Sequence, residues 1–124
     1  MHVGVSDGNG IYNYSALTTI INAFREGTSG IINKTNSRGD MSIYGLEYDF
    51  TEQGKMEIIC TLDGHTHKDS SKTWNDMLKI TTISSNRVNG TKEDIGTDII
   101  TIDRSNRKIY ATRLGKGNDR EWEY

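Results

Sequence analysis

The residues with the clearest chemical potential lie near the middle of the chain, in the stretch LDGHTHKD at positions 62–69. His65 and His67 are two of only three histidines in the 124-residue sequence. If this segment is extended, side chains at positions i and i+2 point to the same side, so the two imidazoles could bind one metal ion or two neighbouring ions. Neutral imidazole is a common ligand of Zn²⁺, Mn²⁺, Fe and Ni²⁺. The pair therefore indicates a candidate site for a divalent metal.

Two histidines alone do not define a metal site, because protein-bound metals usually have three or more protein ligands. A His-x-His pair in a loop also arises by chance in proteins that bind no metal. His2 could complete the ligand set, and so could one of three aspartates, Asp63, Asp69 or Asp76. Their spacing does not select among them, so a metal site and an ordinary polar loop both stay open at this point.

The strand that precedes the histidines determines where they would lie. The segment KMEIICTL, residues 55–62, is apolar and β-branched, which predicts a strand covered on both faces. A strand that ends at Gly64 would place the histidines at the carboxyl edge of a sheet, where open α/β sheets form their sites. A second strand is predicted over MLKITTI, residues 77–83, and the polar segment 84–96 is predicted to be a loop.

One clear helix is predicted, at about residues 15–26. Ser15 can act as its N-cap, and Gly27 can end it in the left-handed conformation. Apolar residues at spacings of three and four form one stripe along it, namely Leu17, Ile20, Ile21 and Phe24. The polar segment that follows is either a loop or a short hairpin, with Ile31 and Ile32 in one arm and Ile43 and Tyr44 in the other.

The C-terminal part has the most regular pattern. DIITID and KIYATRLG alternate in polarity on either side of the turn RSNR, which predicts a β-hairpin at about residues 98–114. Arg113 and Arg120 are expected to be exposed there. Residues 46–50 also alternate and predict a half-buried strand. The fold class is therefore α/β or α+β, mostly β with one helix, and the length suits a single domain over residues 1–124.

Composition limits the classes of partner. The net charge of −2 gives no indication of a nucleic-acid surface, and no apolar stretch approaches the roughly 20 residues of a membrane helix. The single cysteine, Cys60, excludes an internal disulfide. We therefore expect neither nucleic acid nor a membrane among the partners.

The strand-Gly-His-x-His pattern ending at residues 64–67 resembles the last motif of calcineurin-like metallophosphoesterases. Three longer stretches resemble the C-terminal half of the phosphoesterases encoded by phages and prophages of Gram-positive bacteria: GNGIYNYSALTTIINAFREGTSG, DFTEQGKMEIICTLDGHTHKD and GTDIITIDRSNRKIYATRLGKGNDREWEY. Together they span most of the chain, from about Gly8 to Tyr124. The resemblance implies the C-terminal half of a calcineurin-like α/β/β/α sandwich, and hence the C-terminal part of a larger metallophosphoesterase domain.

The resemblance also implies residue roles. His65 would bind one metal and lie near the phosphate as a catalytic residue, and His67 would bind the other metal. His2 is the candidate for the lone histidine that the family places ahead of its helix. The implied reaction is hydrolysis of a phosphomonoester or phosphodiester by a two-metal site, with Mn, Zn, Fe or Ni as the metal.

The family's N-terminal motifs set a limit on this chemistry. They are Asp-x-His, Gly-Asp-x-x-Asp and Gly-Asn-His, and none of them precedes the histidine pair. Without a bridging aspartate, neutral imidazoles cannot offset the repulsion between two divalent cations. We therefore expect the chain alone to bind one metal weakly, or none, and to have no appreciable phosphoesterase activity.

A half sandwich has consequences for assembly as well. It would expose sheet edges and an apolar face, which predicts self-association or a partner chain. The alternative to an enzyme portion is a non-catalytic phage structural or interaction module derived from that fold. Either protein is expected in the cytoplasm of a bacterial host or in the virion.

Overall fold

The computed structural model of the chain describes residues 13–36, 39–64, 68–83 and 95–124. The elements, in chain order, are α1 (Tyr14–Glu26), β1 (Ser29–Lys34), a 3₁₀ turn (Gly39–Met41), β2 (Ile43–Asp49), β3 (Cys60–Asp63), β4 (Ser70–Trp74), β5 (Met77–Thr81), β6 (Gly96–Asp103), β7 (Lys108–Gly115) and β8 (Arg120–Glu123). They fall into two compact units, one within residues 5–58 and one within residues 59–124. The described residues are thus mostly β with one α-helix, which confirms the α+β prediction at this coarse level.

In the smaller unit, α1 confirms the predicted helix but not its predicted cap. Asn13 holds the N-cap position without a side-chain bond to the helix, and its amide donates instead to the Met41 carbonyl at 2.9 Å. Ser15 is therefore not the N-cap; it lies in the first turn, where its carbonyl accepts the hydroxyls of two threonines. Gly27 ends the helix at a φ of 64°, as predicted, because a residue without a side chain adopts this conformation most easily.

The segment after the helix is a hairpin, so the second of the two alternatives is confirmed. β1 and β2 pair in antiparallel fashion, with Ile32 opposite Leu46 and Gly30 opposite Tyr48. Ile32 is buried. The half-buried strand predicted at residues 46–50 is confirmed in part, because Tyr48 and Phe50 are half-buried between exposed neighbours, whereas Leu46 is 41% exposed and the strand begins earlier, at Ile43. Phe50, just after β2, packs its ring edge-on against a helix phenylalanine.

The larger unit contains two three-stranded sheets. In the first, β5 is the central strand and pairs with β3 in parallel and with β4 in antiparallel fashion. In the second, β6, β7 and β8 form an antiparallel meander. The largest fully buried side chains of the described residues belong to these sheets: Met77, Ile80 and Ile109. The core of this unit is therefore centred on β5 and β7.

The predicted strand over residues 55–62 is correct only at its end. β3 begins only at Cys60. Two residues before it instead contact the C-terminal end of α1: Met56 donates its N–H to the Arg25 carbonyl, and Lys55 pairs with Glu26. The predicted strand over residues 77–83 is confirmed as β5 over Met77–Thr81, and it ends two residues earlier than predicted. The predicted loop at residues 84–96 lies outside the described residues up to position 94, and Gly96 already begins β6.

Strand β4 is absent from the sequence-based prediction because its residues, SSKTW, are polar and mostly exposed. A local signal for it exists. Asn75 and Asp76 connect β4 to β5 with φ angles of 51° and 56°. Two consecutive left-handed residues are typical of the tight turn that joins two antiparallel strands, and Asn and Asp tolerate that conformation.

The C-terminal hairpin is confirmed in range and in register. Ile100 faces Ala111 and Ile102 faces Ile109, as the alternation predicts. The chain then continues into β8, which places Trp122 opposite Ile109 and extends the sheet by one strand. Ile109 and Ala111 are fully buried, so one face of this sheet contributes to the core.

Candidate functional site

The histidine segment begins at the carboxyl edge of the first sheet. β3 ends at Asp63, immediately before Gly64, and it runs parallel to β5. The carboxyl ends of both strands therefore meet at one edge, which is where open α/β sheets form sites. The predicted position of the segment is confirmed to this extent. The three predicted metal ligands, His2, His65 and His67, lie outside the described residues, so their roles stay predictions.

Asp63 anchors the start of the histidine segment. Its side chain is only 2% exposed and lies 3.4 Å from the Lys79 ammonium. The Thr81 hydroxyl donates to its Oδ1 at 2.8 Å, and the Thr82 N–H donates to its backbone carbonyl at 3.0 Å. Both the side chain and the backbone of Asp63 are thus fixed to β5 and to the residue after it.

Asp69 anchors the other end of the segment. Its Oδ1 accepts the Ile83 N–H at 3.0 Å and the Arg113 Nη2 at 2.7 Å, and the Arg120 Nη2 lies 3.2 Å away. Partial burial alone would raise the pKa of Asp69. The hydrogen bond from Arg113 and the charges of both arginines outweigh that effect and hold its pKa below the ordinary value. Asp69 is therefore an ionised anchor at neutral pH.

The two arginines belong to a buried ionic network with Asp98. Arg113 donates from Nε to Asp98 Oδ1 at 2.7 Å, and the two side chains are 2% and 1% exposed. Arg120 donates to Asp98 Oδ2 at 2.7 Å and to the Thr81 carbonyl at 3.1 Å. The hydrogen bonds that Arg113 donates to Asp69 and Asp98 raise the pKa of Arg113 further above its ordinary value. The network joins the meander to the carboxyl edge of the first sheet.

The expectation that Arg113 and Arg120 are exposed is therefore wrong. Arg113 lies on the same face of β7 as Ile109 and Ala111, the buried residues two and four positions before it. The alternation of β7 contained this signal, since position 113 continues the inward-facing series. Arg120 is also mostly covered, with 17% of its side chain exposed.

A shallow cleft of about 340 Å³ opens beside the start of the histidine segment. The residues that line it come from β3, from β6 and from the chain just after β3 and β5: Leu62, Asp63, Gly64, Thr82, Thr97, Asp98 and Ile100. Two of these side chains are carboxylates and two are hydroxyls, with apolar side chains between them. The cleft is large enough for a small organic or phosphate-bearing group beside Gly64.

The described carboxylates do not fit the role of a bridging metal ligand. Asp63 faces Lys79, and Asp69 and Asp98 face two arginines, so each carboxylate already has a cation of this chain beside it. Asp76 lies in the turn before β5, at the opposite end of that strand from the carboxyl edge. Within the described residues there is no cluster of three or more His, Cys, Asp or Glu side chains that could hold a metal ion.

Comparison of the chain with protein-family models, with curated proteins and with solved structures finds no match. The resemblance to metallophosphoesterases therefore rests on the sequence motifs alone. None of the described helices combines the length and the apolar composition that crossing a membrane requires.

Proposed function

We propose that this chain is the C-terminal portion of a calcineurin-like metallophosphoesterase and supplies the histidine ligands of its two-metal site. The observation that carries the proposal is the parallel pairing of β3 with β5, whose carboxyl ends meet where Gly64-His65-Thr66-His67 begins. The substrate class is a phosphomonoester or phosphodiester. The metal is one that accepts imidazole, namely Mn, Zn, Fe or Ni.

The anchoring of the segment supports this proposal over an ordinary polar loop. Asp63 and Asp69 hold its two ends through buried or charge-assisted contacts, as described above. Holding both ends lowers the number of conformations available between them, and preorganised ligands bind a metal at a lower entropic cost.

The charges at the carboxyl edge of the first sheet suggest that the metal ligands come from two sources, the histidines from this segment and the carboxylates from another segment or chain. Two adjacent dications need carboxylate charge between them. The three aspartates described at this edge, Asp63, Asp69 and Asp98, each already have a cation beside them. We therefore assign to this chain the histidine ligands and to another segment or chain the bridging carboxylate. That component would also cover the large apolar side chains of the larger unit that are more than a third exposed, which are Leu62, Ile99, Ile102 and Leu114.

Metal affinity tests the proposal directly. The purified chain is titrated with Zn²⁺, Mn²⁺ and Mg²⁺ in competition with a chromogenic chelator. We expect one equivalent of Zn²⁺ or Mn²⁺ to bind weakly, and His65→Ala and His67→Ala each to remove the binding. Thr66→Ala is the matched control, because it changes the residue between the histidines and keeps both imidazoles. A chain that binds no metal, or binds it equally well without the histidines, contradicts the proposal.

Hydrolysis of bis(p-nitrophenyl) phosphate with added Mn²⁺ tests the division of roles. The chain alone is expected to show no turnover, because the described carboxylates at this edge are each already paired with a cation of the chain. Turnover that His67→Ala abolishes would mean that this chain carries a complete site, and the assignment of the carboxylate to another component would then be wrong. A chain with neither metal binding nor turnover would favour the alternative, a non-catalytic phage structural or interaction module.

A further inference from the structure

We propose that the larger unit binds an uncharged sugar in a cleft between the start of β4 and β8, with the ring of Trp122 as the apolar surface of the site. The cleft has a volume of about 330 Å³. It is lined by one aromatic ring and by groups that form hydrogen bonds: Asp69, Ser70, Ser71, Arg120, Glu121 and Trp122. All of these residues lie within the described ranges, and none is a ligand of the proposed metal site, so the cleft is independent of the proposed function.

The two walls of the cleft belong to different sheets and are joined by fixed contacts. One wall is the start of β4, and the other is β8; each is an outer strand of its three-stranded sheet. Asp69, the residue before β4, lies with its Oδ1 3.2 Å from Nη2 of Arg120. Arg120 also donates to the Thr81 carbonyl at 3.1 Å and to Asp98 Oδ2 at 2.7 Å. These contacts set the spacing of the walls before a ligand arrives, which lowers the entropic cost of binding.

Trp122 supplies the apolar surface of the cleft. The residue is half-buried, and the central carbon of the Arg120 guanidinium lies over its ring, 5.1 Å from the centroid. Across the sheet Trp122 is paired with Ile109, which is fully buried. The cation and the buried neighbour restrict the ring, so its exposed part is a preformed apolar surface. A sugar ring carries C–H groups on its faces and hydroxyls at its rim, so it can cover this surface while its hydroxyls reach polar groups beside it.

The polar groups beside the ring suit the hydroxyls of a sugar. Within the described residues, the Ile83 N–H, Arg113 and Arg120 all contact Asp69 through Oδ1. Oδ2 therefore remains as an acceptor on a side chain that is 29% exposed, and a carboxylate accepts short, strong hydrogen bonds from hydroxyl groups. The two serines at the start of β4 are exposed, and their hydroxyls can donate as well as accept.

The charges in the cleft favour an uncharged ligand. Asp69 is paired with Arg120, and Glu121 Oε1 lies 3.4 Å from the Lys108 ammonium. A charged ligand would have to compete with these pairs, so its charge would contribute little to the affinity. The hydrogen bonds and the apolar contact of a neutral polyhydroxylated ring do not depend on such a competition. We therefore expect a neutral sugar to bind at least as well as the corresponding sugar acid.

Tryptophan fluorescence tests the site directly, because the chain has only two tryptophans, Trp74 and Trp122. In Trp74→Phe the remaining tryptophan lines the cleft. Its fluorescence is titrated with glucose, galactose, mannose and N-acetylglucosamine, each to about 50 mM, since a small ligand in a shallow cleft should bind near about 1 mM. We expect a saturable change with at least one of these sugars. Trp122→Phe is the control, and its fluorescence should not change, because Trp74 does not line the cleft.

A matched pair of substitutions in β4 tests the polar wall. Ser71 and Thr73 are both exposed and lie on the same face of β4, but only Ser71 lines the cleft. In the Trp74→Phe background, Ser71→Ala should lower the affinity for the sugar that binds by about 5-fold, the usual contribution of one hydrogen bond, and Thr73→Ala should leave it unchanged. In the wild-type chain, Trp122→Ala should lower it by about 10-fold or more, measured by saturation-transfer NMR of the sugar.

Three results would overturn the inference. One is the absence of a fluorescence change with every sugar in Trp74→Phe, or an equal change in Trp122→Phe. Another is an equal affinity of Ser71→Ala and Thr73→Ala, which decides the question even if Trp122→Ala does not fold. The third is tighter binding of glucuronate than of glucose, which would mean that the cleft selects a charged ligand. Each titration is carried out without added metal, so failure of metal binding leaves these results unaffected.

Discussion

Replacement of Arg113 by methionine removes the centre of the buried ionic network. Methionine keeps the flexible apolar stem but leaves Asp98 with Arg120 as its remaining partner of the network. Breaking a buried ion pair by removing one partner costs about 3–5 kcal/mol, because the other charge stays buried. Since Arg120 still compensates part of the Asp98 charge, we expect a loss near the lower limit, about 3 kcal/mol. For a domain of 60–100 residues this corresponds to a fall in the unfolding temperature of about 12 °C or more.

Thermal unfolding at pH 7, followed by circular dichroism, measures this loss. Arg104→Met is the matched control: Arg104 is exposed in the turn between β6 and β7, and substitutions at such positions usually change stability by about 0.5 kcal/mol or less. If Arg113→Met lowers the unfolding temperature no more than Arg104→Met does, the network does not stabilise the fold and the reasoning fails.

A double variant separates the lost pair from the unpaired charge. Asp98→Asn combined with Arg113→Met removes both main charges of the pair. If the cost of Arg113→Met comes mainly from the buried carboxylate left behind, the double variant should be more stable than the single one. A double variant that is less stable by the sum of the two single effects would instead indicate independent contributions.

Two further predictions follow from particular contacts. Because the pKa of Asp69 is lowered in the fold, its ion pairs stabilise the protein above its unfolded pKa of about 3.9 and are lost as the pH falls through the lower, folded value. The difference in unfolding temperature between the wild type and Asp69→Asn should therefore shrink from pH 7 to pH 3, and a constant difference would contradict the assignment. Gly30→Ala should destabilise the β1–β2 hairpin, because the new methyl group would meet the Tyr48 ring, whereas Gly39→Ala has no atom within 4 Å of its new methyl group; equal unfolding temperatures of the two variants would contradict this contact.

Local sequence patterns were sufficient to predict the elements that are stabilised by residues close in the sequence. The helix follows from its apolar stripe and Gly27, and the C-terminal hairpin follows from two alternating runs around a turn. The limits of β3 were not predictable in the same way. The apolar residues Met56, Ile58 and Ile59 favour a strand by composition, but a hydrogen bond and an ion pair to the end of α1 hold residues 55 and 56 outside any strand.

The ionic network could not be predicted, because it depends on contacts between distant parts of the sequence. Arg113 meets Asp98 across 15 residues and Asp69 across 44. The periodicity of β7 can place Arg113 on the inner face, but it cannot name the partner that makes burial of the charge tolerable. That partner is known only once the meander is packed against the carboxyl end of β5. For the same reason Asp69, which sequence spacing could not distinguish from Asp76, is identified by its partners.

The charges at the carboxyl edge of the first sheet limit which metals the histidines would bind. Asp63 is balanced by Lys79, and Asp69 and Asp98 are balanced by Arg113 and Arg120. An incoming cation therefore gains little from the described carboxylates, and its affinity would depend on the imidazole nitrogens. Mg²⁺ prefers oxygen ligands in octahedral geometry and dehydrates reluctantly, whereas Zn²⁺ and Ni²⁺ bind imidazole well. If the histidines are the ligands, the chelator titration must rank Zn²⁺ well above Mg²⁺, and an equal affinity for the two ions would contradict binding through imidazole.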